Sequence, residues 1–459
     1  MQEGRLSQGP AVTSAWLLPL GVVLELGALL GHLPPLSWAA ALAFSVYFLL
    51  YFRRLNPYPR WLGIVTLAVL GAALWFARPD ASLWPKLASS VAYYTSFLGA
   101  LGLMQLLAQR LPQLRELHKA LLSGSKVVLY PRYVLAAGSI GSILNFGMMN
   151  LLCGTLTDHL KRYPLTDEQR RAGLRSVMVT TLRGFALVPL LAPTSVTIAI
   201  ISREMPEQSW STMVPYGAVA ALMMIVVGWR RETAGLLALR DNIGDTSKAD
   251  GMPQLLIGSL LGLGAIGLLA SVTDLSASQS AMVLVPVGVI SYLLWRERSP
   301  RTVVEEVTGN MVSMHNEMFI FGCAALLGGV LGAVAPLEDI AAWLAQEPKY
   351  NVLLAIGALF STIVLAVLGL APIVSLSLTA GLLAQLAHLG VPIMTPAVGL
   401  MCGFSLAMIF SPFGPSTLIL SRYSGESPYR VAFGWNGRFV ASVMPLLLLL
   451  IFFTYWQQS

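Results

Sequence analysis

The sequence predicts an all-α polytopic membrane protein of about 11 transmembrane helices with two further re-entrant hairpins, and three observations predict it. Hydrophobic residues make up 56% of the 459-residue chain and charged residues only 11%, with a mean hydropathy of +0.71. Soluble domains carry about 25% charged residues, so this chain has too few to keep its surface in water. The apolar residues fall in runs near the roughly 20 that a helix needs to cross the hydrocarbon core. The Lys and Arg residues collect in short loops between those runs, which accounts for the formal charge of +7 without nucleic-acid binding. Cys153, Cys323 and Cys402 lie in apolar stretches and read as buried free thiols.

In chain order, full spans are expected near 15–33, 37–52, 61–77 and 87–108, a group of scaffold helices within 1–109. The weakly charged start, Met1-Gln2-Glu3-Gly4-Arg5, and the lack of a small-residue cleavage pattern after Leu33 make the first of these a retained helix. Leu111, Leu114, Leu117 and Leu121 share one face of an amphipathic segment expected to lie at the interface. The stretch 133–154 is rich in small residues (Ala136, Ala137, Gly138, Ser139, Gly141, Ser142) and reads as a re-entrant hairpin. Non-helical backbone is tolerated at membrane depth only where protein or a wet cavity surrounds it. A span at 174–202 is broken by Pro189 and Pro193, and a span at 212–228 closes the unit. Residues 229–252 read as a cytoplasmic loop, and spans near 253–271, 280–295 and 316–335 as further scaffold. The stretch 351–388 has Gly369-Leu370-Ala371-Pro372 at its middle and reads as the second hairpin. It is followed by a span at 395–421 broken at Pro412 and Pro415 and a closing span at 432–455.

Charge tests this map. With a cytoplasmic N-terminus and a periplasmic C-terminus, the inside loops hold 23 of the 29 Lys and Arg residues and the outside loops four, Arg78, Lys86, Arg203 and Lys349. That split follows the positive-inside rule. Turning either hairpin into a full span would reverse the alternation after it.

Two segments, 110–228 and 336–459, then share one pattern: a hairpin, a span broken by two prolines with hydroxyl residues straight after, and a closing span. The first hairpin enters from the inside and the second from the outside, so the units are inverted. Paired broken spans in two inverted halves point to a binding site near the bilayer midplane. A broken helix presents free N–H groups carrying a partial positive charge, which favours an anion. Thr194, Ser195, Thr197, Ser416 and Thr417 add hydroxyls at that depth. The alternative is a pair of proline kinks whose backbone is repaired by neighbouring Ser and Thr.

Ala192-Pro193-Thr194-Ser195 and Ser411-Pro412-Phe413-Gly414-Pro415-Ser416 resemble the proline-containing unwound loops of the ion transporter superfamily. That group includes divalent-anion/sodium symporters, citrate carriers and arsenite permeases. Leu144-Asn145-Phe146 and Ala371-Pro372-Ile373 stand where the symporters carry Ser-Asn-Thr at their hairpin tips, and only Asn145 is kept from the first. The resemblance covers about 110–455. It implies an elevator-type carrier, a scaffold plus a transport unit of both hairpins and both broken spans. Ser375, Ser377 and Ser411 join the candidate substrate-binding residues on this basis. Coupling to Na+ or H+ is compatible with it, with no other cofactor, and so is a homodimer in a bacterial inner membrane.

Charges inside spans are functional candidates by default. Arg183, just before the first break, has two readings: a bidentate contact to an anionic substrate, or a structural partner. Arg438 reads as an interfacial anchor. Glu25 is the acid well inside a span, outside the repeats, and reads as paired within the scaffold. Glu317, His315 and Asn316 sit at the mouth of a span, and His159 beside Asp158 reads as a loop histidine. The repeats carry no acid within their hairpins and broken spans, which favours a small anionic solute over a cation exchanged for protons. His32, His118, His159, His315 and His388 are scattered with no metal motif, and no base stands near the hydroxyls at the breaks, so a membrane-embedded transferase is disfavoured.

Overall fold

The computed structural model describes residues 14–108, 110, 125–144, 146–160, 163–243, 252–347 and 349–458. Helices account for nearly all of these, and ten are long and apolar enough to cross a membrane. The three cysteines are buried and free.

The scaffold begins with α1 (Leu17–Gly31), α2 (Pro34–Tyr51), α3 (Pro57–Phe76) and α4 (Leu83–Gly102), continued by α5 (Met104–Ala108). Prolines open α2 and α3 in the first turn, where a missing N–H costs nothing. Helix α4 is the hub: α1 and α2 pack on it from one side. The first repeat follows as α6 (Leu129–Leu144), α7 (Phe146–Leu160), α8 (Asp167–Phe185), α9 (Val188–Leu191), α10 (Val196–Glu204) and α11 (Trp210–Ile243). Helix α8 starts on a capping box between Thr166 and Gln169. The scaffold resumes with α12 (Met252–Val272), α13 (Ala277–Glu297), α14 (Pro300–Ser313) and α15 (His315–Val334). Ser276 and Gln279 form a second capping box at the start of α13. The second repeat is α16 (Glu338–Gln346), α17 (Tyr350–Val367), α18 (Pro372–His388), α19 (Met394–Phe410), α20 (Pro415–Ser424), a π-turn at Arg430–Trp435 and α21 (Asn436–Gln458).

The packing of the two repeats is symmetric. In each, the first arm of the helical hairpin lies on the first half of the broken helix (α6 on α8, α17 on α19), and the closing helix packs on both (α11, α21). The second arm of each hairpin also packs on the second half of the other repeat's broken helix: α7 on α20, and α18 on α10. The two closing helices meet each other. The repeats are thus interlocked around one core and do not form separate halves.

Several boundaries differ from the sequence expectation. The first broken helix has two interruptions, one after Phe185 and one at 192–195, with the single turn of α9 between them. Gly217 is why α9 fits: a Cβ there would lie 1.9 Å from the Leu190 carbonyl oxygen. Residues 229–243, expected in a loop, continue α11, whose 34 residues carry the amphipathic surface well past 228. Helix α17 has 18 residues and is itself long enough to span, whereas α1 has 15 and is shorter than its expected span. The expected interfacial helix at Leu111–Leu122 lies outside the described residues.

Scaffold and repeats meet most closely along α15 and α18. Here glycine lets the backbones touch: a Cβ on Gly328 would lie 2.5 Å from the Ser377 carbonyl oxygen, one on Gly332 2.6 Å from that of Gly381, and one on Gly381 2.2 Å from that of Gly328. Small residues at such spacing are the usual means of close helix association in lipid. Gly381→Ala should therefore force the helices apart and cost about 1–3 kcal/mol, seen as a lower melting temperature in detergent. Gly357→Ala, where a Cβ meets nothing within 4 Å, should melt as the wild type does.

Candidate functional site

Each helix break is seated against the tip of its own hairpin. At the first, the Thr194 hydroxyl donates to the Ser142 carbonyl oxygen at 2.5 Å, one turn before the α6–α7 junction. At the second, the Ser411 hydroxyl donates to the Ala366 carbonyl oxygen at 2.7 Å, just before the α17–α18 tip. The equivalence is physical: in both repeats a break hydroxyl ties a carbonyl near the end of the first hairpin arm. Gly414 packs on Pro372 at the second tip. Asn145, at the first tip, lies outside the described residues.

Helices α15 and α18 run in parallel register, Gly328 beside Ser377 and Gly332 beside Gly381, which sets the second tip level with Gly322. Gly322 in turn faces Thr95 at the middle of α4 and α5. The first break is held by Ser278 at the start of α13, whose hydroxyl donates to the Pro193 carbonyl oxygen at 3.2 Å. The broken helices also touch directly, the Ser405 hydroxyl of α19 donating to the carbonyl oxygen of Ala186 at 2.6 Å.

The candidate hydroxyls divide into two sets. Ser195 caps α10 by accepting from the Ile198 N–H at 3.2 Å. The Ser416 hydroxyl donates to the Met408 carbonyl oxygen at 2.6 Å, and that of Thr417 to the carbonyl oxygens of Ser411 at 2.5 Å and Gly414 at 2.9 Å. With Thr194 and Ser411, these groups repair broken backbone, the role the kink reading assigns to them. Thr197, Ser375 and Ser377 are different: they are buried and their hydroxyls have no hydrogen-bond partner. Thr197 is in the first turn of α10 and Ser375 in the first turn of α18, and those helices pack together. Sequence reasoning missed three more of this kind on the scaffold, Thr95 and Ser96 of α4 and Ser280 of α13, also buried and unpartnered. Both helices border α10. The clusters Thr95-Ser96 and Ser276-Ala277-Ser278-Gln279-Ser280 inside or opening apolar spans were the available signal.

A cavity of about 360 Å³ adjoins the first junction, lined by Ser142 and Thr194 together with apolar residues of α4, α5, α12 and α13, such as Leu101, Met104, Ile266 and Leu284. It contains no charged side chain.

Arg183 stands apart from these hydroxyls. It is 2% exposed, donates to Glu232 at 3.2 Å and to Asn436 at 3.4 Å, and its guanidinium carbon lies 4.0 Å from the Phe439 ring centroid. The structural-partner reading of its environment is the one these contacts describe. Glu232 lies in the part of α11 expected as a loop, beyond the hairpins and broken helices, and it is buried. Glu25 is likewise buried, accepting from the Ser37 hydroxyl within the scaffold, with its second oxygen unpartnered. Arg438 is exposed. Asn316 accepts from the Asn56 N–H at 2.8 Å, and His315 contacts the Val312 carbonyl, which makes this group a junction between scaffold segments. Among the described residues no group of His, Cys, Asp or Glu is arranged to hold a metal ion.

No family model matches the chain, and no curated protein matches it. Among solved structures the chain is similar to the Alcanivorax borkumensis YdaH transporter, described as having an unusual topology. The likeness covers 82% of this chain and 88% of that one at 18% identity, with a TM-score of 0.49.

The Arg183–Glu232 pair is testable as a structural unit. Arg183→Gln leaves the buried Glu232 carboxylate with only the half-exposed Arg175, 3.9 Å away, and should cost up to about 3–5 kcal/mol. Adding Glu232→Gln should restore much of the lost melting temperature, because the orphaned charge is then gone.

Proposed function

We propose that the protein is a secondary active transporter of a small anionic solute, working by an elevator mechanism with its site between the hairpin tips, the broken helices and the scaffold. The observation that carries this reading is a set of buried, unpartnered hydroxyls: Thr197 and, on the helix packed against it, Ser375 and Ser377, with Thr95, Ser96 and Ser280 on α4 and α13, the scaffold helices that border α10. Unsatisfied polar groups in an apolar interior are costly, and a hydrated or polar solute passing among them satisfies them. With Arg183 engaged by Glu232, anion preference there rests on the N-termini of α10 and α20.

In this reading the chain is a member of the ion transporter superfamily, with both hairpins and both broken helices as the moving unit and the hairpins re-entrant from opposite sides. The setting is a bacterial inner membrane, with a cytoplasmic N-terminus and a periplasmic C-terminus, and a homodimer is compatible with it. Of the two coupling ions, H+ would act through Glu25, the buried acid with an unpartnered oxygen; a Na+ requirement would set that role aside. A cation antiporter of the same superfamily is the second reading, and Glu25 is the observation that favours it.

Purified protein in proteoliposomes should show counterflow of a labelled anion, which an enzyme would not. Thr197→Val and Ser375→Ala should each slow it at least tenfold with unchanged melting temperature; normal rates in both would remove these hydroxyls from the mechanism. Topology is tested separately. Cysteines at Gln346 and His388, against a background of three buried native thiols, should be labelled from the same, outer face. Labelling from opposite faces would make the stretch a single span and remove the inversion of the two units.

A further inference from the structure

Beyond these hydroxyls, a second cavity of about 600 Å³ opens where the end of α10 meets the starts of α11 and α13 and the end of α12. In the expected topology this is the outer face. It adjoins the unpartnered hydroxyls at α13, where Ser276 in its lining is about one helical turn before Ser280. Its volume lies within the range of small-molecule sites, about 300–1,000 Å³.

Among the described residues its one cationic lining residue is Arg203. One arm of the guanidinium donates to the Ser89 hydroxyl at 2.5 Å, and the group lies 5.3 Å from the Tyr93 ring centroid. These contacts hold it in place, and among the described residues no carboxylate stands within 4 Å of it, while Glu25 and Glu204 lie near enough to feel its charge. The neighbouring Glu204 is engaged elsewhere, accepting from the Tyr94 hydroxyl at 2.6 Å. On the opposite wall, the capping box of α13 takes up the N–H groups of Ser276 and Gln279, and Ala277, whose N–H has no intrahelical acceptor, also lines the cavity. The positive end of a 21-residue helix therefore faces the same space. Trp210 forms a flat apolar wall, fixed by its indole N–H donating to the Leu191 carbonyl oxygen at the first break, 3.0 Å away. Exposed Asp274 also lines the cavity and repels a second negative charge.

We propose that this cavity is an entry site for small organic monocarboxylates, with Arg203 holding the carboxylate and Trp210 the planar or apolar body. A guanidinium held in place with no ion pair of its own, beside helix N–H groups, recognises one carboxylate. The Trp210 wall adds contact area for a carbon skeleton, and Asp274 selects against dianions. The inference rests on the carrier reading only in calling the cavity an entrance; binding itself is independent of it.

The test uses full-length protein in detergent and isothermal titration with benzoate, benzamide and phthalate. Benzoate should bind saturably, benzamide and phthalate at least tenfold more weakly. Arg203→Gln should weaken benzoate at least tenfold with an unchanged melting temperature, while Asp274→Asn, a surface change, should narrow the gap between phthalate and benzoate several-fold. Absence of saturable benzoate binding, equal binding of benzamide, or full benzoate affinity in folded Arg203→Gln would overturn the proposal. If Arg203→Gln does not fold, an Asp274→Asn variant with an unchanged phthalate-to-benzoate ratio overturns it instead. Counterflow separates the two readings: binding without exchange keeps this site and removes the carrier.

Discussion

A helix broken inside an apolar bundle exposes N–H and carbonyl groups that have no bulk water to turn to, and the repair of two such breaks organises the rest of this molecule. The first break is held by Thr194 to its hairpin, by Ser278 to the scaffold and by Ser405 to the opposite repeat. The second is repaired internally, by Ser411, Ser416 and Thr417. Because the first break donates to its hairpin and accepts from the scaffold and from the second repeat, it fixes the relation of all three. The second break is self-sufficient, and its neighbouring tip is bound to the scaffold through a single contact of another kind, the Ala371 N–H donating to the Tyr58 hydroxyl at 2.7 Å.

At Gly328, Gly332 and Gly381 the α15–α18 contact is backbone on backbone. The Arg183–Glu232 pair and the Phe439 ring, in contrast, tie α8, α11 and α21 together within the repeats through side chains.

Much of the architecture was legible in the chain. Hydrophobic runs located the helices, and charge asymmetry with two proline pairs located the breaks, because membrane burial forces apolar composition and proline removes a backbone donor wherever it stands. Boundaries went astray where surface character and helicity part company. Residues 229–243 carry Arg230, Arg231, Glu232 and Arg240 and so read as loop, yet amphipathic surface is compatible with a long helix.

The sequence by itself determined the helical class, the duplicated hairpin-and-break pattern and the list of hydroxyls close to each break, since these follow from local composition and spacing. Only the tertiary structure decided which hydroxyls are spent on backbone and which are free. Ser416 and Thr417 look no different in the chain from Thr197 and Ser375; the distinction lies in whether a freed carbonyl stands within reach. The same holds for Arg183, whose carboxylate partner is 49 residues away in sequence, and for the clustering of Thr95, Ser96 and Ser280 near α10. Partners brought together by packing leave no periodicity or motif in the chain, because any position on the facing helix supplies an acceptor once the helices meet.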